Sequence, residues 1–490
     1  MEIFDKFYNG VVSIIRGLFC LLVIVSLIAA IRYPEISFAK LSNSQFLIMI
    51  ILIVGIILGM LSTKHKNYKI GLIGKVLLVV GFILQFLAIK SSSFTVGYDV
   101  YSVFSLLNGK NMGFNEFYFS LNPNNIPVVI FYKIILKLFN LSATWTNLEY
   151  ITTCFIDIGI IANLVSIRLI KKDSFNVALY FFSFFVLVFT FILVPYTDSL
   201  AYAIVSIYTC LYLLNKKIEK KKYNILISTF FLTFVVLGYF IKPSSVVPFI
   251  AIAIIEFLNF LKEPKKKIQL KGTIIYIIPI LLSFMFFIGC SYVNKNQDLV
   301  NIQSDRDKPV TSFILIGMQG IGAYSPSEDQ MMQKISTKKA RNDYCIRQIK
   351  KQLKEYGLVG YVKFLLTVKQ VYNTQDGMLG WTVDGVDSIP KHTSNFFQEY
   401  NYPVGKLFNM HRILAQLFWI VTIALILFSM NYRDQKALLL QLAVLGGMLF
   451  LLFFEGGRTR YVIQFLAPMQ LLAIYSYKDC IYKIREYISK

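Results

Sequence analysis

The sequence predicts an all-α polytopic membrane protein with about 12 transmembrane helices. Of its 490 residues, 56% are hydrophobic and only 16% are charged, and the mean hydropathy is +0.59, values typical of a membrane protein. Apolar segments of roughly 17–22 residues, each long enough to cross a bilayer, recur along the chain. The net charge of +23 is concentrated in short lysine clusters between these segments. That pattern is typical of cytoplasmic loops and argues against nucleic-acid binding.

Each apolar segment is a candidate span. The segments lie at residues 11–31, 45–62, 70–90, 148–167, 175–194, 197–214, 224–241, 244–261, 273–292, 409–429, 435–454 and 461–477. Lys6 and Arg16 accompany the first segment as in a signal peptide, but the segment is long and a similar one follows it. We therefore predict an uncleaved first span.

The lysine clusters predict the orientation. They are Lys64-His65-Lys66, Lys171-Lys172, residues 216–222, residues 262–271, and Arg433 with Lys436. If all of them are cytoplasmic, the spans alternate consistently and both termini lie inside the cell. Residues 125–140 (NIPVVIFYKIILKLFN) must then stay on one side, because a span there would place residues 216–222 outside. Lys133 and Lys137 lie one turn apart in this short segment, so we predict an amphipathic helix on the outer surface.

This assignment divides the chain into four parts: two extra N-terminal helices at 1–69, a transmembrane core at 70–292 with a first outer loop at 91–147, a large outer loop or subdomain at 293–408, and C-terminal helices with a cytoplasmic tail at 409–490. A further surface helix is expected from Asp99 to Lys110. In the second outer loop, residues 338–357 predict a charged helix and residues 361–372 an amphipathic one.

The first outer loop carries the most informative side chains. Asp99 lies within a turn of the third span, where a carboxylate is costly unless it is partnered or used. Aromatic and amide side chains follow or flank it, namely Tyr98, Tyr118, Asn122, Asn124 and Asn125. Such groups stack on sugars and form hydrogen bonds with them. This pattern predicts chemistry at a membrane surface.

These motifs resemble the GT-C superfamily of membrane glycosyltransferases, which use polyprenyl-phosphate sugars or related lipid-linked donors. The correspondence includes Tyr98-Asp99 and the asparagine motif after Tyr118, then Pro195-Tyr196-Thr197-Asp198 between two spans. Three further motifs resemble those of Gram-positive members: Lys242-Pro243-Ser244, Asp376-Gly377 and Glu455-Gly456-Gly457-Arg458-Thr459-Arg460-Tyr461. The resemblance covers most of residues 70–477 and rests on the order and common sidedness of these motifs.

The resemblance implies an inverting transfer of a sugar from a polyprenyl phosphate to a cell-envelope glycopolymer, lipid or protein on the extracytoplasmic face of the cell membrane. In this reading Asp99 is the general base and Asp198 a second catalytic carboxylate that orients the acceptor or a basic residue. The cations for the leaving phosphate are Arg458, Arg460, Lys242 and Lys369. Tyr98, Tyr118, Asn122, Asn124, Asn125 and Tyr196 would contact the substrates.

Each of these residues also has a structural interpretation. Asp99 and Asp198 stand before helices, where aspartate is a common N-cap, and the cations could contact lipid headgroups. Asp305 and Asp307 form a DxD-like pair of the kind that can hold a divalent cation, although such pairs are frequent in loops.

The six cysteines show no metal-binding spacing and the three histidines are scattered, so we expect no structural disulfide, metal or cofactor. The expected partners are the lipid-linked donor, the envelope acceptor, membrane lipids and a polyprenyl-phosphate-sugar synthase of the same pathway. Three alternatives stay open: a lipid-linked polysaccharide polymerase or ligase, a flippase or transporter, and a non-catalytic assembly protein.

Overall fold

The computed structural model describes residues 2–32, 47, 50–51, 68–262, 270–381 and 389–488. These parts of the chain are helical and contain no strand. The predicted second span at 45–62 falls almost entirely outside the described residues, as do the lysine cluster at 64–66 and most of the cluster at 262–271.

The helices of the first part of the chain follow the apolar pattern closely. They are Glu2–Arg32 (α1), Tyr68–Ser92 (α2), Tyr98–Leu107 (α3), Met112–Leu121 (α4), Ile126–Leu138 (α5), Trp145–Ile170 (α6), Phe175–Val188 (α7), Thr197–Asn215 (α8), Lys221–Ile241 (α9), Val247–Lys262 (α10) and Leu270–Lys295 (α11). At 13 residues, α5 is too short to cross a bilayer, in agreement with its prediction as a surface helix.

The second part begins with the long outer loop and ends with three bundle helices. Its helices are Val310–Gly317 (α12), Pro326–Lys334 (α13), Lys338–Phe364 (α14), Gln370–Thr374 (α15), Phe396–Asn401 (α16), Phe408–Phe428 (α17), Gln435–Phe453 (α18) and Leu466–Ile488 (α19). A π-helix at Leu365–Lys369 joins α14 to α15, and a 3-10 helix at Thr459–Phe465 precedes α19.

Nine helices of the described residues are long and apolar enough to cross a membrane, and they coincide with nine of the predicted spans. Two further predicted spans, 175–194 and 461–477, are interrupted by 3-10 turns at Thr190–Leu193 and Thr459–Phe465. The first break is buried, and side chains donate to backbone carbonyls that have lost their helical partners. Ser199 donates to the carbonyl of Phe191 at 3.0 Å and Tyr400 to that of Leu187 at 3.3 Å. Non-helical backbone at membrane depth requires such partners.

The bundle has two chemically different ends. At one end, the Lys436 ammonium donates to the carbonyl of Ile170, next to Lys171, at 3.4 Å, and Lys216 pairs with Glu256 of α10 at 2.7 Å. Gln435 joins these two contacts by donating to Asn259 of α10 at 2.6 Å, so three of the lysine clusters lie at the same end. At the other end the two outer loops bond to each other, because the Lys308 amide donates to the carbonyl of Leu121 at 3.1 Å. The predicted separation of lysine clusters from long loops is therefore present in the fold.

One part of the second outer loop enters the bundle. Residues 361–372, predicted as an amphipathic helix, are helical and lead into the bundle through the end of α14, the π-helix and α15. Gln370 donates to Ser26 of α1 at 2.8 Å, and Trp419 of α17 donates to the carbonyl of Thr374 at 2.7 Å. Trp419 lies about 16 Å along α17 from its first residue. We call residues 358–381 the re-entrant segment.

Candidate active site

Asp99 lies in the first turn of α3, after a strained backbone position. Tyr98 adopts φ +58°, which is uncommon for a residue with a side chain. No side chain caps the N-terminus of α3, so the capping interpretation of Asp99 does not hold. Its half-buried carboxylate instead accepts a hydrogen bond from the hydroxyl of Tyr118 at 2.7 Å and a longer one from that of Tyr196 at 3.4 Å.

Asn125 completes this network from the start of α5. Its amide nitrogen donates to the Tyr118 hydroxyl at 2.7 Å, and its amide oxygen accepts from the Tyr196 hydroxyl at 3.2 Å. Burial, and next the charge of Asp99, raise the pKa of both tyrosines well above the ordinary value. Both hydroxyls therefore keep their protons at neutral pH and act as donors to the carboxylate.

Asp198 lies in the first turn of α8 and is also not a cap. Its side chain is 2% exposed and pairs with the ammonium of Lys242 and, at 3.5 Å, with the guanidinium of Arg460. Lys242 directly follows the last residue of α9, and Arg460 is the second residue of the 3-10 helix before α19. Three segments that are distant in sequence thus bring one carboxylate and two cations together.

Two tyrosine rings join this charge cluster to Asp99. The guanidinium carbon of Arg460 lies 6.0 Å from the ring centre of Tyr196, whose hydroxyl faces Asp99. The ring of Tyr461 lies 5.3 Å from Arg460 and 5.5 Å from the Lys242 ammonium. Aromatic faces at these distances attract cations. Asp99 and the cations therefore occupy two sides of one site, with Tyr196 between them.

The turn at Glu455–Arg458 is held by the re-entrant segment and by the second outer loop. Gly457 has φ +67° and donates to the side-chain oxygen of Asn373 at 2.7 Å, while Gly456 donates to the carbonyl of Gly322 at 2.9 Å. A Cβ atom at Gly457 would lie 2.3 Å from the carbonyl oxygen of Ile321. Only glycine fits this close backbone contact.

The structure separates Lys369 from the other predicted phosphate ligands. Lys369 is fully buried in the π-helix, and its ammonium donates to the carbonyls of Gly317 (2.7 Å) and Phe454. Its prediction as a phosphate ligand is not supported by this geometry, because its donors already connect two loops. Arg458 is half-buried and lies two residues before Arg460, at the start of the same 3-10 helix.

The predicted substrate contacts fall into two groups. Tyr118, Asn125 and Tyr196 surround Asp99, as described above. Asn122 instead donates to the carbonyl of Tyr118 at the end of α4, at 3.1 Å, and Asn124 is exposed. The ring of Tyr98 is 73% exposed beside Asp99, so it is accessible to a substrate.

The sequence interpretation missed Tyr324. Burial and Asp329, with smaller contributions from Asp99 and Glu455, raise the pKa of Tyr324 to about 12. Its hydroxyl donates to Asp329 at 3.1 Å, and Asp329 pairs with Lys308 at 2.5 Å. This tyrosine follows Gly320 and Gly322, and that glycine-rich stretch is the signal that could have drawn attention to it.

Asp305 and Asp307 bond to the N-terminus of α14. Asp305 accepts from the Lys338 amide at 3.2 Å, and Asp307 pairs with the Lys338 ammonium at 2.5 Å. Across the described ranges, no three His, Cys, Asp or Glu side chains converge as metal ligands would. The contacts with Lys338 give both aspartates structural partners.

Comparison with known proteins identifies the family. The family model described as "Conserved hypothetical integral membrane protein" matches residues 7–481. The chain belongs to this family of integral membrane proteins. The match extends over all the segments that build the site, from Asp99 to Arg460. No curated protein and no solved structure matches the chain.

Proposed function

We propose that this integral membrane protein is a glycosyltransferase of the GT-C type that moves a sugar from a polyprenyl phosphate to a cell-envelope acceptor. One observation carries the proposal. The carboxylate of Asp99, which is bonded by buried tyrosines, lies on one side of Tyr196, and the cations Lys242 and Arg460 lie on the other. Glycosyl transfer from a lipid phosphate requires these two functions, a base for the acceptor and positive charge for the leaving group.

Asp99 is the general base in this proposal. The acceptor oxygen attacks the anomeric carbon, its proton passes to Asp99, and the bond from that carbon to the phosphate oxygen breaks with its electron pair. A single displacement of this kind inverts the anomeric centre. Tyr118 keeps the carboxylate in place by directing its hydroxyl hydrogen at one oxygen, and Tyr196 shares its single hydroxyl hydrogen between Asp99 and Asn125.

Lys242 and Arg460 would stabilise the departing phosphate. Lys242, Arg460 and Arg458 supply three positive charges, whereas Asp198 and Glu455, which accepts from the Tyr461 hydroxyl at 2.8 Å, supply two negative ones. The cluster therefore keeps one net positive charge for an anion. Guanidinium groups match phosphate oxygens well. Asp198 is then a positioning residue that holds both cations, rather than a second base.

We further propose that this end of the bundle is extracytoplasmic. The lysine clusters lie at the opposite end, and positively charged loops favour the cytoplasm. A lipid-linked donor that has been translocated across the membrane would present its sugar at this level.

The test is donor consumption by the purified protein in liposomes. We would supply radiolabelled polyprenyl-phosphate monosaccharides of several sugar types with an envelope extract as acceptor, and measure label transfer together with release of polyprenyl phosphate. Transfer by the native protein and its loss in Asp99→Asn are expected.

The same assay distinguishes the alternatives. Use of lipid-diphosphate oligosaccharides only would indicate a polymerase or ligase. The interrupted segments at Thr190–Leu193 and Thr459–Phe465 are a feature of many transporters, and movement of intact donor across the liposome without bond cleavage would favour a flippase. Either result would reject the proposed reaction.

A further inference from the structure

The long helix of the second outer loop is broken where it approaches the bundle. Within α14, Gly357 has φ 60° and ψ 172°, so the helix changes direction there. The next two side chains, Leu358 and Val359, are each 82% exposed. Two adjacent aliphatic side chains with that exposure form an apolar tip that water does not favour.

The distance of this tip from the bilayer follows from helix geometry. About 16 Å of helix separates Val359 from Gln370, and Gln370 bonds to Ser26, which lies about 9 Å before the end of α1. The tip therefore extends at most about 7 Å beyond the end of that span. The interfacial layer on each side of the hydrocarbon core is about 5–7 Å thick, so the tip can reach no farther than about the outer edge of this layer.

The charges around the tip match an anionic lipid surface. Lys350, Lys354 and Lys363 are exposed on either side of the break. Lys351 also lies there and is 3.9 Å from Glu355, so these two charges largely offset each other. An apolar tip with surrounding lysines is the composition of a segment that inserts into the headgroup region.

We propose that residues 357–363 form an interfacial anchor, with Leu358 and Val359 at the boundary between headgroups and acyl chains and the lysines on anionic headgroups. This inference does not depend on the proposed glycosyl transfer. Its structural consequence is that the anchor fixes the depth of the re-entrant segment, which holds the turn at Gly457 through Asn373.

The test is site-specific fluorescence of the full-length protein in liposomes of phosphatidylcholine and phosphatidylglycerol. A Val359→Cys variant would carry an environment-sensitive fluorophore, with Lys339→Cys, exposed near the start of α14, as the matched control. The native protein, labelled in parallel, corrects for its six cysteines. We expect blue-shifted emission at position 359 and quenching of at least half of it by nitroxides on the upper acyl chain, with neither effect at position 339.

Two outcomes would overturn the anchor. Equal, water-like emission at both positions would place the tip in solvent. Blue-shifted emission without lipid quenching would indicate contact with protein instead.

The lysine contribution has its own readout: nitroxide-labelled phosphatidylglycerol should quench position 359 more than labelled phosphatidylcholine. That preference should vanish when Lys350, Lys354 and Lys363 are replaced by glutamine, and equal quenching in the original protein would reject it.

Discussion

Replacing Asp99 by asparagine separates the catalytic interpretation of this residue from every structural one. The amide has the same shape, and its oxygen can still accept the hydrogen bond from Tyr118, while its NH2 group faces the hydroxyl of Tyr196 at a longer distance. The main loss is that Tyr118 then donates to a neutral oxygen instead of a charged one, which lowers the free energy of unfolding by about 1 kcal/mol. Since no capping bond exists at α3, no cap is lost.

The expected effect on turnover is much larger. Asparagine cannot accept the acceptor's proton, and loss of a positioned general base reduces rates on the order of 10²–10⁴, about 3–5 kcal/mol of activation free energy. The loss should appear in kcat with little change in KM for the donor, because the cations that would bind phosphate are unchanged. The assay is label transfer by purified protein in liposomes, with thermal unfolding measured on the same preparations.

Asp298→Asn provides the matched control, because this carboxylate lies at the same end of the bundle and is 93% exposed. It should transfer sugar at the native rate. If purified Asp99→Asn transferred sugar within threefold of the native rate, Asp99 would not be the base. Asp198 would be a poor replacement for it, because its oxygens already hold Lys242 and Arg460.

Three further predictions test the cation cluster, the glycine turn and the orientation. Arg460→Gln should lower kcat/KM for the lipid donor about 100-fold, whereas Lys137→Gln, an exposed outer-loop control, should leave it unchanged; equal values in the steady-state assay would reject the phosphate role. Gly457→Ala should lower the melting temperature more than Gly109→Ala, because both have positive φ but only the former Cβ meets backbone, the φ strain alone being about 1 kcal/mol or more; equal shifts would show that the turn relaxes. Glu219→Cys should resist an impermeant maleimide in intact cells and react after permeabilisation; labelling of intact cells would invert the proposed topology.

The sequence was sufficient to predict most spans because each is a continuous apolar segment with its own boundary. The short length of residues 125–140 and their two lysines also predicted that this segment does not cross the membrane. In the structure α5 is only 13 residues long. The sequence could not predict the breaks near Thr190 and Thr459, since a continuous helix and an interrupted one have the same apolar pattern. Their stability depends on distant side chains such as Tyr400.

The re-entrant segment shows a second limit of sequence reasoning. Residues 361–372 were predicted as an amphipathic helix of an outer loop with Lys369 as a phosphate ligand, and a lysine normally requires water. Lys369 is buried because the carbonyls of Gly317 and Phe454 replace that water. These partners are 52 and 85 residues away along the chain, so no local pattern indicates them.

The site illustrates why an acidic residue near a membrane can be identified from sequence while its role cannot. Asp99 and Asp198 have the same local context, an aspartate in the first turn of a helix that follows an apolar segment. The structure gives them different partners: neutral hydroxyls for Asp99, and two cations for Asp198. The two cations occupy both carboxylate oxygens of Asp198, whereas hydroxyl groups face those of Asp99. The proposed difference between base and positioning residue thus rests on Tyr118, Lys242 and Arg460, and folding alone brings these residues together.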